Sequence, residues 1–101
     1  MEYAYLGRTG LKVSRLCLGT MNFGPYTTEE DSYKIMNRSL ELGINFFDTA
    51  NVYGAMNDPK AVGITVVICG SWFAEDHNRR DKVVVATKVF GRMGDYGNVS
   101  K

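Results

Sequence analysis

The amino-acid sequence predicts an α/β fold in which short parallel strands alternate with helices. Residues 15–19, 44–47 and 82–87 are short segments rich in apolar side chains, as buried strands are. Segments of helical character separate them, and strand, helix, strand with short connections is the pattern of a βαβ unit. The chain has 101 residues, of which 45% are hydrophobic and 23% are charged, as in an ordinary globular domain.

A short antiparallel hairpin is predicted ahead of the first parallel strand. Residues 3–6 alternate weakly in polarity, and residues 11–14 follow a connector that contains two glycines. Glycines in so short a connector favour a hairpin turn. Residues 15–19 then form a short buried strand that ends at a glycine.

The first helix is predicted to begin at residues 27–30, whose sequence Thr-Thr-Glu-Glu fits a capping box. Small and apolar residues then recur at helical spacing and predict its buried face: Ile35, Met36, Ser39, Leu40 and Gly43. Gly43 also predicts the end of this helix. Residues 44–47 follow at once as the second parallel strand.

The second helix is predicted at residues 64–75. Residues 64–68 have strong β propensity, but a crossover is needed before the next parallel strand, and this favours a helix. The polar stretches at residues 54–63 and 76–81 are predicted to be loops. The glycine-rich tail at residues 91–101 is predicted to be loosely ordered.

Charge and cysteine content argue against several classes of function. The net charge is +1, and the basic cluster at residues 79–82 is interrupted by acidic residues, so we expect a solvated loop and no nucleic-acid partner. Cys17 and Cys69 have no metal-ligand spacing, so no metal site is predicted. Both lie in apolar runs, where we expect them to act as small hydrophobic side chains in a reducing compartment.

The sequence also predicts no membrane association. The N-terminus lacks a basic region followed by an apolar core, so no secretory signal is expected. The longest uncharged run, residues 61–74, is shorter than the ~20 apolar residues needed to span a bilayer. The cytoplasm is therefore the expected location.

Candidate site residues follow the carboxyl ends of the three predicted strands. Gly19 ends the first strand and Thr20 and Met21 follow it, Asp48 follows the second strand and Lys88 follows the third. In α/β folds the ligand binds beyond the carboxyl ends of the strands. We therefore expect these side chains to share one edge of the sheet.

Asp48, Tyr53 and Lys88 could together support proton transfer. Asp48 follows two phenylalanines, so we expect poor solvation and a need for a charged partner, which Lys88 would supply. An ordinary phenol has a pKa of about 10, and an ammonium group beside Tyr53 would lower it. A phenol tuned in this way could act as a general acid, which is worth ~10²–10⁴ in rate. The matching reaction is protonation of a carbonyl oxygen as hydride arrives from a reduced nicotinamide.

Each of these residues also has an ordinary structural interpretation. Asp48 could cap the turn that follows it, Tyr53 could be a packing residue, and Lys88 could be a solvated strand end. The single histidine, His77, lies in a polar run and is interpreted as a solvated loop residue. The glycines of the tail open no predicted helix, so they do not indicate a phosphate loop.

Longer strings of residues resemble motifs of the aldo-keto reductase family. These are residues 19–24 (Gly-Thr-Met-Asn-Phe-Gly), residues 43–54 (with Phe-Phe-Asp-Thr-Ala-Asn-Val-Tyr-Gly at their end) and residues 84–88 (Val-Val-Ala-Thr-Lys). Residues 6–14 resemble the hairpin that closes the bottom of the family's barrel. The motifs occur in the family's order and at about its spacing, and the resemblance covers nearly the whole chain.

The resemblance implies a (β/α)8 barrel that binds NADP(H) and reduces aldehydes or ketones. Residues 1–101 would be the N-terminal portion of that barrel, with the hairpin, about three parallel strands and two connecting helices. By resemblance, Tyr53 is the acid, Lys88 tunes it and Asp48 anchors Lys88. Gly19, Thr20 and Met21, together with Asp48, would line the nicotinamide side of the cofactor site.

The chain also departs from the family's pattern. The family's catalytic histidine follows the fourth strand, which would lie beyond Lys101, as would the residues that hold the adenosine phosphate. Val66 and Val67 stand where relatives tend to carry acidic residues, which puts the amphipathicity of the second helix in doubt. Two hypotheses follow: an aldo-keto reductase-type enzyme, or a non-catalytic fragment of one, from a truncated gene or an incomplete gene model. A regulatory subunit on the same fold is a third possibility.

Overall fold

The computed structural model of the chain describes residues 1–54, 58–91 and 93. Five strands and three α-helices occur in them: β1 (Tyr3–Tyr5), β2 (Lys12–Ser14), β3 (Leu18–Gly19), α1 (Glu29–Glu41), β4 (Phe46–Asp48), α2 (Ile64–Glu75), α3 (Asn78–Lys82) and β5 (Val84–Ala86). A single 3-10 turn, Pro59–Ala61, precedes α2. The predicted tail at residues 91–101 lies almost entirely outside the described residues.

The N-terminal hairpin forms as predicted and is attached to the start of β4. Strands β1 and β2 pair antiparallel. The N–H of Ser14 donates to Oδ1 of Asn45 at 2.7 Å, and the N–H of Asn45 donates to the Ser14 hydroxyl at 3.2 Å. The hydroxyl of Tyr3 donates to the carbonyl of Gly43 at 2.6 Å. The hairpin therefore lies at the amino end of the parallel sheet, away from the strand ends that carry the candidate site.

Strands β3, β4 and β5 form one parallel sheet in that order, which confirms the predicted α/β class. In its register Leu18 pairs with Phe47, and Phe47 with Val85. Helices α1 and α2 both contribute to the core, which contains Phe23, Met36, Phe47, Ile68, Cys69, Trp72 and Val83. The short strands are thus held by apolar packing against two helices as well as by backbone hydrogen bonds.

The bounds of α1 follow from its two end signals. The hydroxyl of Thr28 accepts a hydrogen bond from the N–H of Asp31 at 3.1 Å, so the predicted threonine cap forms. At the other end Gly43 has φ +88, and the N–H groups of Gly43 and Ile44 donate back to the last turn. This is the arrangement in which glycine ends a helix most readily. Because the cap is Thr28, the residue three positions further on is Asp31, so the predicted capping box with a glutamate does not form; Glu30 forms an ion pair with Lys34 at 3.5 Å.

Helix α2 has the predicted bounds, but it is apolar on its outer side as well. Val66 is 40% exposed and Val67 is 59% exposed. The inner side contributes Ile68, Cys69 and Trp72 to the core. Across the described residues, no helix combines the length and apolar character that crossing a membrane requires.

Several predictions about local structure were wrong. Residues 15–17 are exposed and only Leu18–Gly19 is strand, so Cys17 is not a buried hydrophobic side chain, whereas Cys69 is. Ile35 is at the surface because the buried row of α1 runs through Ser32, Met36 and Ser39. Most of the expected loop at residues 76–81 and the first residue of the predicted third strand, Lys82, form α3, and β5 begins at Val84.

Candidate active site

The carboxyl ends of the parallel strands lie side by side and carry the candidate residues. Asp48 at the end of β4 pairs with Ala86 at the end of β5. The pairing continues beyond both strands, because the N–H of Thr49 donates to the carbonyl of Ala86 at 2.8 Å and the N–H of Asn51 donates to the carbonyl of Lys88 at 3.1 Å. Lys88 is therefore held opposite the loop that follows β4.

The ammonium group of Lys88 is bound by three oxygen atoms at the carboxyl end of β4 and in the loop that follows it. Its Nζ donates to Oδ1 and Oδ2 of Asp48 at 2.9 and 3.0 Å, and to the carbonyl of Thr49 at 2.9 Å. The side chains of Lys88 and Asp48 are 45% and 40% exposed. The expectation of a poorly solvated Asp48 was wrong, because the carboxyl end of β4, although β4 is the central strand of the sheet, is open to solvent.

The exposure of the ion pair between Asp48 and Lys88 limits its contribution to the stability of the protein. Ion pairs with this much exposure add little to stability, because water and salt screen them. The hydrogen bonds to Asp48, followed by the neighbouring Tyr53, raise the pKa of Lys88. The main effect of the pair is therefore to keep one positive charge in a defined place.

Tyr53 lies against that charge. Nζ of Lys88 is 4.9 Å from the centroid of the Tyr53 ring. The N–H of Tyr53 donates to the carbonyl of Ala50 at 3.2 Å, which turns the loop back over the sheet edge. The structure thus brings together the three residues that the sequence singled out, Asp48, Tyr53 and Lys88.

The residues after β3 take two different positions at the same edge. Gly19 is exposed, and a Cβ built on it would meet nothing within 4 Å. Met21 is 49% exposed, whereas Thr20 is 1% exposed. The hydroxyl and the N–H of Thr20 both donate to the carbonyl of Asp48, at 2.9 and 3.1 Å. Gly19 and Met21 are therefore exposed at this end of the sheet, while Thr20 supports the residue that binds Lys88.

One contributor to the site was missed in the sequence. The carbonyl of Thr49 binds Lys88 through the backbone, so no side chain could have indicated it.

His77 is remote from this edge. It is exposed and directly precedes α3, which leads into the amino end of β5, whereas Lys88 follows the carboxyl end of β5. Among the residues that the structure describes, no group of three or more histidine, cysteine or acidic side chains could hold a metal ion.

Comparisons with known proteins give one family. The sequence model of the Aldo/keto reductase family matches residues 15–101. The uncharacterized oxidoreductase YrpG of Bacillus subtilis (strain 168) is 58% identical over 95 residues, which are 94% of this chain and 28% of that protein. An uncharacterized 11.2 kDa protein of Pseudescherichia vulneris is 38% identical over 89 residues, which are 88% of this chain and 86% of that protein.

The similarity extends to three-dimensional structure. The aldo-keto reductase AKR11C1 from Bacillus halodurans, solved in its holo form, superposes with a TM-score of 0.71 at 34% identity. The match covers 96% of this chain and 29% of that one. The chain spans a little over a quarter of the length of its first curated relatives and corresponds to the N-terminal portion of the barrel of its structural neighbours.

Proposed function

Because the chain belongs to the aldo/keto reductase family, we propose that its candidate site serves NAD(P)H-dependent reduction of an aldehyde or ketone. One observation carries the proposal. The Lys88 ammonium is bound by both oxygens of Asp48 and lies 4.9 Å from the centre of the Tyr53 ring. A fixed positive charge beside a phenol favours the phenolate that remains when the phenol has given up its proton.

In this proposal Tyr53 donates its hydroxyl proton to the carbonyl oxygen of the substrate. When bound, a reduced nicotinamide supplies the hydride that the carbonyl carbon accepts. Lys88 stabilises the phenolate left on Tyr53, and Asp48 holds Lys88 in place. Return of a proton from water restores Tyr53, and the substrate leaves as an alcohol.

The exposed surface beside this group is where we propose that the nicotinamide ring binds. Apart from its two chain neighbours, no residue comes within 4 Å of where a Cβ of Gly19 would be, and Met21, two residues further on, is exposed. We propose Gly19, Thr20, Met21 and Asp48 as the cofactor-side residues and NADP(H) as the cofactor. Thr20 would act by holding the Asp48 carbonyl. The two free thiols, Cys17 and Cys69, agree with a cytoplasmic location, which we also propose.

A second candidate function is non-catalytic. The match to the 11.2 kDa protein of Pseudescherichia vulneris, 86% of which is covered, supports it. In this case the chain would keep the ion pair of Asp48 and Lys88 without carrying out turnover, as a regulatory subunit on the same fold.

The test uses a chimeric protein in which this chain replaces the matching segment of YrpG. We refer to this protein as the chimera. NADPH absorbance is followed with a panel of aromatic and aliphatic aldehydes and ketones, and cofactor binding is measured separately by calorimetry. We expect Tyr53→Phe in the chimera to lower kcat at least ~10²-fold because a general acid is lost. The NADPH dissociation constant should change by less than about twofold, since the ring and its contact with Lys88 remain.

Two outcomes would contradict the proposal. One is near-normal turnover by Tyr53→Phe, which would remove Tyr53 from proton transfer. The other is a chimera that folds and binds NADPH but reduces no carbonyl compound, which would favour the non-catalytic candidate. The isolated 101-residue chain is assayed in parallel, and we expect no turnover above background from it.

A further inference from the structure

The first turn of α2 is in contact with the loop that carries Tyr53. The N–H groups of Gly63 and Thr65 donate to the carbonyl of Tyr53, at 3.1 and 3.4 Å. Gly63 is the residue at the cap position and offers no side chain as a cap. The donors that every helix leaves open at its start are therefore satisfied in part by the backbone of Tyr53.

Thr65 connects the same turn to the loop that follows β3. Its side chain is fully buried, and its hydroxyl donates to the carbonyl of Phe23 at 2.6 Å. The N–H of Phe23 in turn donates to the carbonyl of Thr20 at 2.9 Å. One residue of α2 thus holds the loop proposed for the cofactor through its side chain and the loop of Tyr53 through its backbone.

The neighbouring side chain, Ile64, packs between the same two loops. A Cβ built on Gly24 would come within 2.7 Å of Cγ2 of Ile64, and one built on Gly54 would approach that methyl group more closely still. Gly24 belongs to the loop after β3, and Gly54 directly follows Tyr53. Both loops therefore approach the Ile64 side chain closely, and each does so at a glycine, which has no side chain.

We propose that Thr65 and Ile64 are positioning residues that set the Tyr53 hydroxyl at a fixed distance from the cofactor-side loop. The inference rests on the proposed function. Neither residue touches the reacting atoms. Thr65 acts through the carbonyl of Phe23 and Ile64 through its contact with Gly54, and together they make the two loops one unit.

The chemistry of the proposed reaction explains why Tyr53 needs positioning residues. Hydride transfer and proton transfer act on neighbouring atoms of one carbonyl group, so the nicotinamide and the phenol must be placed relative to each other. Misplacement by about 1 Å, even from a remote change, can lower a rate ~10²-fold. The sheet fixes Asp48 and Lys88, but Tyr53 is five residues beyond Asp48 on a loop and needs a support of its own.

The test compares Thr65→Val, which keeps the shape and removes the hydroxyl, with Thr65→Ser, which restores it. Ser32→Ala serves as the matched control, because Ser32 is also fully buried and its hydroxyl also donates to a carbonyl, that of Thr28 at 2.7 Å. In the chimera we expect Thr65→Val to lower kcat about tenfold to hundredfold and to raise the KM for NADPH. Thr65→Ser should recover most of the activity, and Ser32→Ala should lower thermal stability without lowering kcat.

A second measurement separates this inference from the proposed function. Hydrogen exchange at the Gly63 amide reports the bond to the Tyr53 carbonyl whether or not the protein turns over. We expect about tenfold faster exchange in Thr65→Val and no change in Ser32→Ala. Unchanged exchange at Gly63, or equal kcat losses in Thr65→Val and Ser32→Ala, would overturn the positioning role. A chimera without turnover in which Thr65→Val still speeds this exchange would contradict the proposed function alone.

Discussion

The two long helices begin in different ways. Helix α1 supplies its own start, since the Thr28 hydroxyl caps the N–H of Asp31 and acidic side chains fill the first turn, where the helix dipole favours them. Helix α2 has Gly63 at its cap position and no acidic residue in its first turn, and two of its open donors, the N–H groups of Gly63 and Thr65, bond to the carbonyl of Tyr53. The start of α1 is thus a local feature, whereas the start of α2 is shared with the candidate site.

This difference predicts which properties a substitution at each helix start should change. Loss of the α1 cap should lower the stability of the protein without affecting the candidate site. A change at the α2 start should cost stability and also move Tyr53, because the same bonds serve both. Two substitutions test the contrast, and the larger effect is expected at α2.

Gly54→Ala should be the more damaging of the two. Gly54 has φ +112, which L side chains rarely adopt, and its Cβ would stand 2.5 Å from the carbonyl oxygen of Ala61. A backbone atom so close cannot yield as a flexible side chain would, so we expect a loss of about 2–5 kcal/mol in the free energy of unfolding. Chemical denaturation measures this loss, and turnover of the chimera should fall with it.

Gly70→Ala is the control for that substitution. Gly70 lies inside α2, and a Cβ there would meet nothing within 4 Å. Alanine in place of glycine within a helix should stabilise the protein by about 0.5–1 kcal/mol. Similar effects from Gly54→Ala and Gly70→Ala would refute the close contact between the Tyr53 loop and the start of α2.

Thr28→Ala should have the smaller effect. It removes the oxygen that accepts from the N–H of Asp31, and losing such a cap costs ~1 kcal/mol. Denaturation should show this loss, while kcat and the exchange rate at the Gly63 amide stay at their wild-type values. A fall in kcat as large as that of Thr65→Val would show that the two helix starts do not differ as described.

The parts of the fold that sequence could predict were those encoded by local signals. Residues 64–75 were predicted as a helix with the observed bounds, and the threonine cap and Gly43 marked the ends of α1. Helix α3 was missed because its contacts are tertiary. Arg79 lies over the Trp72 ring at 4.4 Å and donates to the carbonyl of Trp72, and neither contact leaves a pattern in the sequence.

The candidate site likewise has residues that the sequence could predict and residues that it could not. Asp48 and Lys88 were found because each follows the carboxyl end of a strand, and parallel strands bring those ends together. The degree of solvation of Asp48 was misjudged, since two preceding phenylalanines do not tell which side of the sheet is open. The supports of Tyr53 were missed because they are backbone donors of Gly63 and Thr65, whose positions depend on where α2 packs.

The most direct test of the account is the titration of Lys88, followed by NMR at its side-chain nitrogen in the 101-residue chain. The bonds to Asp48 raise its pKa, so any stability that the pair contributes is present below the ordinary value of about 10.4 and is lost as the pH rises through the raised value. We expect Asp48→Asn to bring the pKa of Lys88 down toward that ordinary value. A Lys88 that titrates at the same pH in the wild type and in Asp48→Asn would contradict the central claim, which is that Asp48 holds the charge beside Tyr53.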